Sequence, residues 1–272
     1  MPYAARMEII VLPDADAVGR HAAGIIAETI AAGPQPVIGV ATGSSPLATY
    51  RELAALAARG LDVSRTTAFA LDEYVGLEPG HPQSYHAVID REVTRRIRLD
   101  PARVHVPDGS ADHLEAACTA YEDAIAAAGG VDIQLLGVGA NGHIGFNEPG
   151  SSLGSSTRVK TLAPGTRRDN ARFFGGDPEA VPIHCVTQGI GTILRARRLL
   201  LVATGAAKAD AVATLSEGPL GAYCPATALQ LHPDTTVVVD EAAAAKLTLR
   251  EYYDFARDHA NDLSRPSRFT NG

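Results

Sequence analysis

The sequence predicts a doubly wound, mostly parallel α/β sheet with helices on both faces, Rossmann-like in outline. Three observations carry this. Short apolar runs recur along the chain, of the kind shown by strands buried on both faces. Helical, often Ala-rich stretches separate them. The most polar, Gly-rich segments directly follow apolar runs, and in open α/β sheets ligands bind at the carboxyl ends of strands.

Residues 7–12 (MEIIVL) read as the first strand. Asp14 suits the N-cap of an Ala-rich helix reaching about residue 32, where Gly33 and Pro34 end it. Residues 36–41 form a second buried strand, followed by Thr42-Gly43-Ser44-Ser45-Pro46 and a helix to about residue 59. A third strand, 66–71, ends at Asp72-Glu73-Tyr74. A helix over 82–97, a short strand at 104–106 and a helix over 110–128 follow. Residues 133–138 form the central strand, which opens into a loop holding Asn141, His143, Asn147 and Glu148. Pro149 and Gly150 discourage a helix there. Beyond it, 158–162 reads as extended, 164–174 as a basic helix and 187–194 as a short helix. Residues 198–204 form a strand leading to a helix that bears Lys208, and 235–240 form the last strand. One domain over 1–263 and a polar tail over 264–272 account for the chain.

A chain of 272 residues, 46% hydrophobic and 20% charged, suits one large α/β domain. A net charge of -7 argues against a broad nucleic-acid surface, so an anion would need a local cluster of donors. Cys118, Cys185 and Cys224 lie far apart without a C-x-x-C pair, which suits a reducing cytoplasm. No apolar run approaches a membrane span, and Glu8 and Asp14 interrupt any signal-like run.

Gly137, Gly139 and Gly142 fit G-x-G-x-x-G, but that fingerprint needs a helix immediately behind it and an acid about 20 residues on. Here the loop runs into Pro149-Gly150, and residues 157–162 hold no acid. A nicotinamide or flavin site is therefore not expected.

Five constellations carry chemistry. In Thr42 to Pro46, Gly43 permits a tight turn, Ser45 suits an N-cap and Pro46 the first helical position. Free amides, helix dipole and hydroxyls then make an anion site, or merely a well-capped helix. The Lys of a P-loop is absent, which disfavours a nucleoside triphosphatase. Lys208 opposes the dipole of the helix it begins, which suggests an anion between them, though a solvated lysine is the plain alternative. Asp72 and Glu73 alternate in extended backbone, so at most one faces a given cleft, where it could serve as a general base. His143 beside Glu148 and Asn141 suits proton transfer near neutrality. No G-x-S-x-G elbow and no H-E-x-x-H pair accompanies it, which disfavours a serine hydrolase and a zinc site. Arg158, Lys160, Arg167, Arg168 and Arg172 form a basic run opposed only by Asp169.

These stretches together resemble the glucosamine-6-phosphate deaminase (isomerase) family: ATGSSPLATY, LDEYVGL with HPQSYH, GVGANGHIGFNEPGSS, TRVKTL, NARFF, GIGTIL, TGAAKADAV and ATALQLHP. They span about residues 37–233, and LDEYVGL with NGHIGFNEP is highly specific. The resemblance implies conversion of glucosamine 6-phosphate and water to fructose 6-phosphate and ammonia, without a cofactor. It implies Asp72 as the base at C2, with proton delivery at C1, and His143 in ring opening, oriented by Glu148 and Asn141. It implies phosphate contacts from Thr42, Gly43, Ser44, Ser45, Arg172 and Lys208, under a lid at about 162–182. Ser151, Arg158 and Lys160 match positions of an allosteric site for N-acetylglucosamine 6-phosphate, and a homo-oligomer, with a hexamer favoured, is expected. The partner is a small-molecule sugar phosphate, with neither nucleic acid nor membrane. Asn141 stands where many members have Asp, which leaves Glu148 as the obvious anion behind His143. Gln188 stands where Met is common, with little effect expected. A 6-phosphogluconolactonase using His143 as base, a deaminase for the galactosamine epimer and a non-catalytic sensor are the alternatives.

Overall fold

The computed structural model describes residues 6–78 and 80–259. The expected tail, 264–272, lies outside the described residues. Seven strands form one parallel sheet: β1 (Arg6–Leu12), β2 (Val37–Val40), β3 (Thr67–Ala70), β5 (Val104–His105), β6 (Ile133–Leu136), β9 (Leu199–Ala203) and β10 (Asp234–Asp240). Their order is β1-β10-β9-β6-β2-β3-β5. From β2 the chain builds outward through β3 to β5, then returns to place β6 on the other side of β2. The order therefore reverses between β2 and β6, where a doubly wound sheet opens a crevice.

The strand runs are mostly apolar because both faces are covered. On one face Ile38, Val40, Ala68, Ile133, Leu135, Leu200 and Val238 meet α1 (Ala15–Ala32), α2 (Leu47–Ala58), α3 (Tyr85–Ile89) and α4 (Arg95–Ile97). On the other, Ile9, Val37, Phe69, Leu136, Leu201 and Val239 meet α5 (Leu114–Ala127), α7 (Ile190–Ile193) and α8 (Ala209–Glu217). Alternate residues of one strand thus feed two cores. The C-terminal helix α9 (Arg250–Asp258) packs against β1. Asp14 caps α1, its carboxylate accepting from the Ala17 amide at 2.7 Å. Two helices start later than the sequence suggests. Ser84 caps α3, so it opens at Tyr85. Asp108 holds Ser110 in a local turn, so α5 opens at Leu114.

The sequence does not reveal a second sheet. Strands β4 (Asp72–Tyr74), β7 (Arg158–Thr161) and β8 (His184–Thr187) form an antiparallel sheet in the order β4-β8-β7. Residues 184–187 carry no strand signal in the sequence, which places a short helix from Thr187. They pair with β4 and β7, and the helix begins only at Ile190. The chain changes sheet at a single residue. The Leu71 amide donates to Val40 O at 3.2 Å in the parallel sheet, and Leu71 O accepts from the Gln188 amide at 2.7 Å beside the small one. Segment 162–182 continues from β7 as α6 (Pro164–Asn170) and two 3₁₀ turns, Ala171–Phe173 and Pro178–Ala180. It is pinned by a third, smaller core of Tyr74, Phe146, Leu162, Ala171, Val181 and Cys185.

Candidate active site

A cleft of about 440 Å³ lies over the carboxyl ends of β2, β3 and β6 and is bordered by segment 162–182. Thr42, Gly43, Ser44 and Ser45 line one end, with Lys208 and Arg172. Asp72 and His143 line it as well. The sequence therefore brings eight of its ten candidate catalytic and phosphate residues to one cavity. Asn141 and Glu148 do not line it and stand behind His143.

The loop after β2 is anchored from below. Tyr50, fully buried on α2, donates to Ala41 O at 2.7 Å and accepts from the Ala41 amide at 2.9 Å. Gly43 takes the left-handed conformation (φ 100°) that lets the turn close. Ser45 does not cap α2 as expected. Pro46 occupies the cap position and no side chain hydrogen-bonds the first turn. Ser44 and Ser45 instead line the cleft, and the Leu47 amide donates to Ser44 O at 3.3 Å. Opposite, the turn Ala206–Lys208 begins at Gly205, whose amide donates to both oxygens of Asp240 at 3.0 Å. Sequence reasoning missed Asp240, because it closes the last strand far from the turn it grips. Burial lowers the Lys208 ammonium pKa, Arg172 lowers it further, and Asp169 counters both.

Asp72 and Glu73 separate as strand alternation requires. Asp72 is buried at the cleft, and its carboxyl pKa stands well above the ordinary value because burial disfavours the charge. Glu73 adds to this, while the Phe146 amide offsets part of it. Glu73 turns away and accepts from the amides of Tyr74, Tyr85 and His86 at 2.7, 2.8 and 2.8 Å, which fixes the start of α3.

His143 is held from behind by an amide. Asn141 Nδ2 donates to Glu148 Oε2 at 2.9 Å, and a carboxylate can only accept. Asn141 Oδ1 must then face His143, lying 2.7 Å from Nδ1. This sets the neutral tautomer, with the proton on Nδ1 and an open lone pair on Nε2. Glu148 Oε2 is 3.8 Å from Nδ1, and Glu148 Oε1 accepts from the Ala163 amide at 3.1 Å, tying the loop to segment 162–182. Burial pushes the imidazole pKa below its ordinary value, with Glu148 raising it and Lys208 lowering it. Gly139 is required here: a Cβ would lie 2.1 Å from His143 Cε1. Asn147 is a staple, donating to Ile144 O and Gln188 O at 3.0 and 2.8 Å.

Ser151, Arg158 and Lys160 do not line the cleft. The Ser151 hydroxyl is buried without a hydrogen-bond partner. Burial lowers the Arg158 pKa, and among the described residues Arg158 meets no carboxylate. The sequence reading also passed over Tyr74, Gln83, Tyr85, Phe146 and Asn170, which line the cleft. All five fall within stretches that carry the family resemblance, LDEYVGL, HPQSYH, GVGANGHIGFNEPGSS and NARFF, but none was singled out there. Gln188 is buried and its Nε2 donates to Ala70 O at 3.0 Å, so it braces the end of β3.

Fold and cleft define the class: a doubly wound α/β protein with a Gly-Ser turn, a buried carboxylate and an oriented imidazole at its switch point. The chain belongs to the family of glucosamine-6-phosphate isomerases and 6-phosphogluconolactonases, whose profile matches residues 14–238. It is 58% identical over 259 residues to a glucosamine-6-phosphate deaminase of Cutibacterium acnes, covering 95% of this chain and 99% of that one. To the Streptomyces coelicolor protein of the same name it is 54% identical, covering 94% and 98%. A solved structure described as a monomeric glucosamine-6-phosphate deaminase superposes with a TM-score of 0.86 at 44% identity, covering 88% of this chain and all of that one. A Trypanosoma cruzi 6-phosphogluconolactonase gives 0.72 at 22% identity, over 91% of this chain and all of that one, and shows the shared fold.

Proposed function

We propose that this protein is a glucosamine-6-phosphate deaminase, releasing fructose 6-phosphate and ammonia from glucosamine 6-phosphate and water. The observation that carries this is the pairing of Asp72 and His143 across one cleft whose end holds Thr42 to Ser45, Arg172 and Lys208. The phosphate binds to the loop amides, the hydroxyls and the two cations, remote from the reacting carbons, so its binding positions C1 and C2. His143 Nε2 takes the C1 hydroxyl proton and returns it to the ring oxygen, which opens the ring. Asp72 then removes the C2 proton, and the electron pair forms an enolamine as the C1 oxygen gains a proton. Return of a proton to C1 leaves an imine at C2. Water adds there and ammonia departs. The burial that raises the pKa of Asp72 makes it the stronger base once ionised.

A coupled assay following ammonia and fructose 6-phosphate together tests this. Equal release of both is expected. Hydrolysis of 6-phosphogluconolactone in place of release would make the protein a lactonase. Turnover of the galactosamine epimer alone would move the specificity to C4. Tight binding without turnover would make it a sensor.

The buried, unpartnered Ser151 hydroxyl and the Arg158 guanidinium without a carboxylate support an effector anion site with Lys160. Initial rates with added N-acetylglucosamine 6-phosphate test that, and light scattering tests the expected hexamer against the monomer described for the 44% identical relative.

A further inference from the structure

Arg172 is a phosphate candidate that the structure holds only lightly by its own side chain. Among the described residues it forms no ion pair, and its guanidinium rests over the exposed Phe173 ring, 4.7 Å from the centroid. Its placement therefore depends on the backbone turn that carries it, Ala171–Phe173. That turn is fixed on both sides to one residue. Two positions before Arg172, Asn170 Nδ2 donates to the Tyr74 hydroxyl at 2.9 Å. Two positions after it, the Phe174 ring meets the Tyr74 ring edge-on at 5.6 Å and also stacks on His81 at 5.8 Å.

Tyr74 is itself rigid. It is only 2% exposed and packs against Tyr85 at 4.8 Å and Phe146 at 5.3 Å. It stands in β4 two residues after Asp72, on the same short strand. One side chain thus joins the turn bearing the phosphate cation to the strand bearing the base.

We propose that Asn170 and Tyr74 are positioning residues: their hydrogen bond fixes the turn that carries Arg172 and so sets its reach to the substrate phosphate. This rests on the phosphate reading of Arg172 given above. A side chain clamped only by its flanking residues loses its aim when one clamp is cut, while the base stays where its own sheet holds it.

The test measures kcat and KM for glucosamine 6-phosphate, with inorganic phosphate as a competitive probe. The proteins are the wild type, Arg172→Ala, Asn170→Ala, Tyr74→Phe and the double variant Arg172→Ala/Asn170→Ala. Tyr74→Phe keeps the ring and removes only the hydroxyl, so the small core stays filled. Arg172→Ala is expected to raise the inhibition constant of phosphate about tenfold or more, as loss of a charged hydrogen bond does. Asn170→Ala and Tyr74→Phe should each raise it about three- to tenfold, with KM moving more than kcat. Asn170→Ala should add less than about twofold once Arg172 is gone, because the two act through one contact. Full additivity in the double variant, or unchanged phosphate inhibition in Asn170→Ala and Tyr74→Phe, would overturn the proposal and leave the phosphate reading standing. Unchanged inhibition in Arg172→Ala would remove that reading and the proposal with it, while ammonia release in the coupled assay reports separately on the reaction.

Discussion

The two sheets of this protein divide the site between them. The seven-stranded sheet is buried on both faces by two large cores, and the loops at its strand ends supply the Thr42–Ser45 turn, Lys208 and the His143 loop. The three-stranded sheet is antiparallel, rests on a core of six buried residues and supplies Asp72 and segment 162–182. Under the proposed function, substrate binding draws mainly on the platform, while the base and Arg172 belong to the smaller unit. Local stability follows buried apolar contact, so the smaller unit is where opening costs least. A cleft that must admit a charged sugar and then exclude water gains from that division.

The sharpest challenge to this division removes the base. Asp72→Asn is expected to lower kcat by at least about 100-fold. The same change should raise the melting temperature near neutral pH. The folded pKa of Asp72 lies above its unfolded value, so its ionisation costs stability as pH rises through the folded value. Below the ordinary carboxylate range both states are protonated, and the two proteins should melt together there. Near-normal turnover would take Asp72 out of the chemistry, and equal melting at neutral pH would count against its burial as a cost.

Gly139→Ala probes the platform's share of the chemistry. A Cβ there meets the imidazole ring at 2.1 to 2.5 Å, so His143 must move. A loss of about 10- to 100-fold in kcat is expected, with KM much less affected. A loss confined to KM would separate His143 from the proton transfer. Lys208→Ala should act in the opposite sense, raising KM about tenfold with a smaller change in kcat. An unchanged KM would remove Lys208 from phosphate binding.

The smallest effect tunes the imidazole. Asn141→Asp puts a carboxylate at the position now 2.7 Å from His143 Nδ1, which favours the imidazolium. The imidazole pKa then rises, and the acid limb of kcat/KM should move to higher pH, because Nε2 must be unprotonated to act as base. A profile that stays in place or moves to lower pH would mean His143 enters in another protonation state.

Much of the platform was legible, because parallel strands covered on both faces read as nearly continuous apolar runs. Val37–Val40, Ile133–Leu136 and Leu199–Ala203 show this directly. The small sheet was not legible. Strand β4 is separated from β3 by Leu71 alone, so periodicity reads the two as one strand. Strand β8 has four residues and an exposed His184, too short a pattern to distinguish from a helix start. The candidate site followed the same line. Asn141, His143 and Glu148 fall within eight positions and were visible as a cluster. Tyr74 and Asn170 are 96 residues apart, and nothing local in either segment announces the other. The Ser45 cap failed for a different reason, since local capping rules do not anticipate hydroxyls left at a ligand cleft.

The strand order also governs how the molecule comes into being. Strand β10 inserts between β1 and β9, so among the described strands β1 has no partner in the sheet until β10 is in place. Asp240, at the end of β10, grips the turn that presents Lys208. A nascent chain can therefore pair β2, β3, β5 and β6 early, but the β1 side of the sheet and the Lys208 side of the cleft both wait for β10.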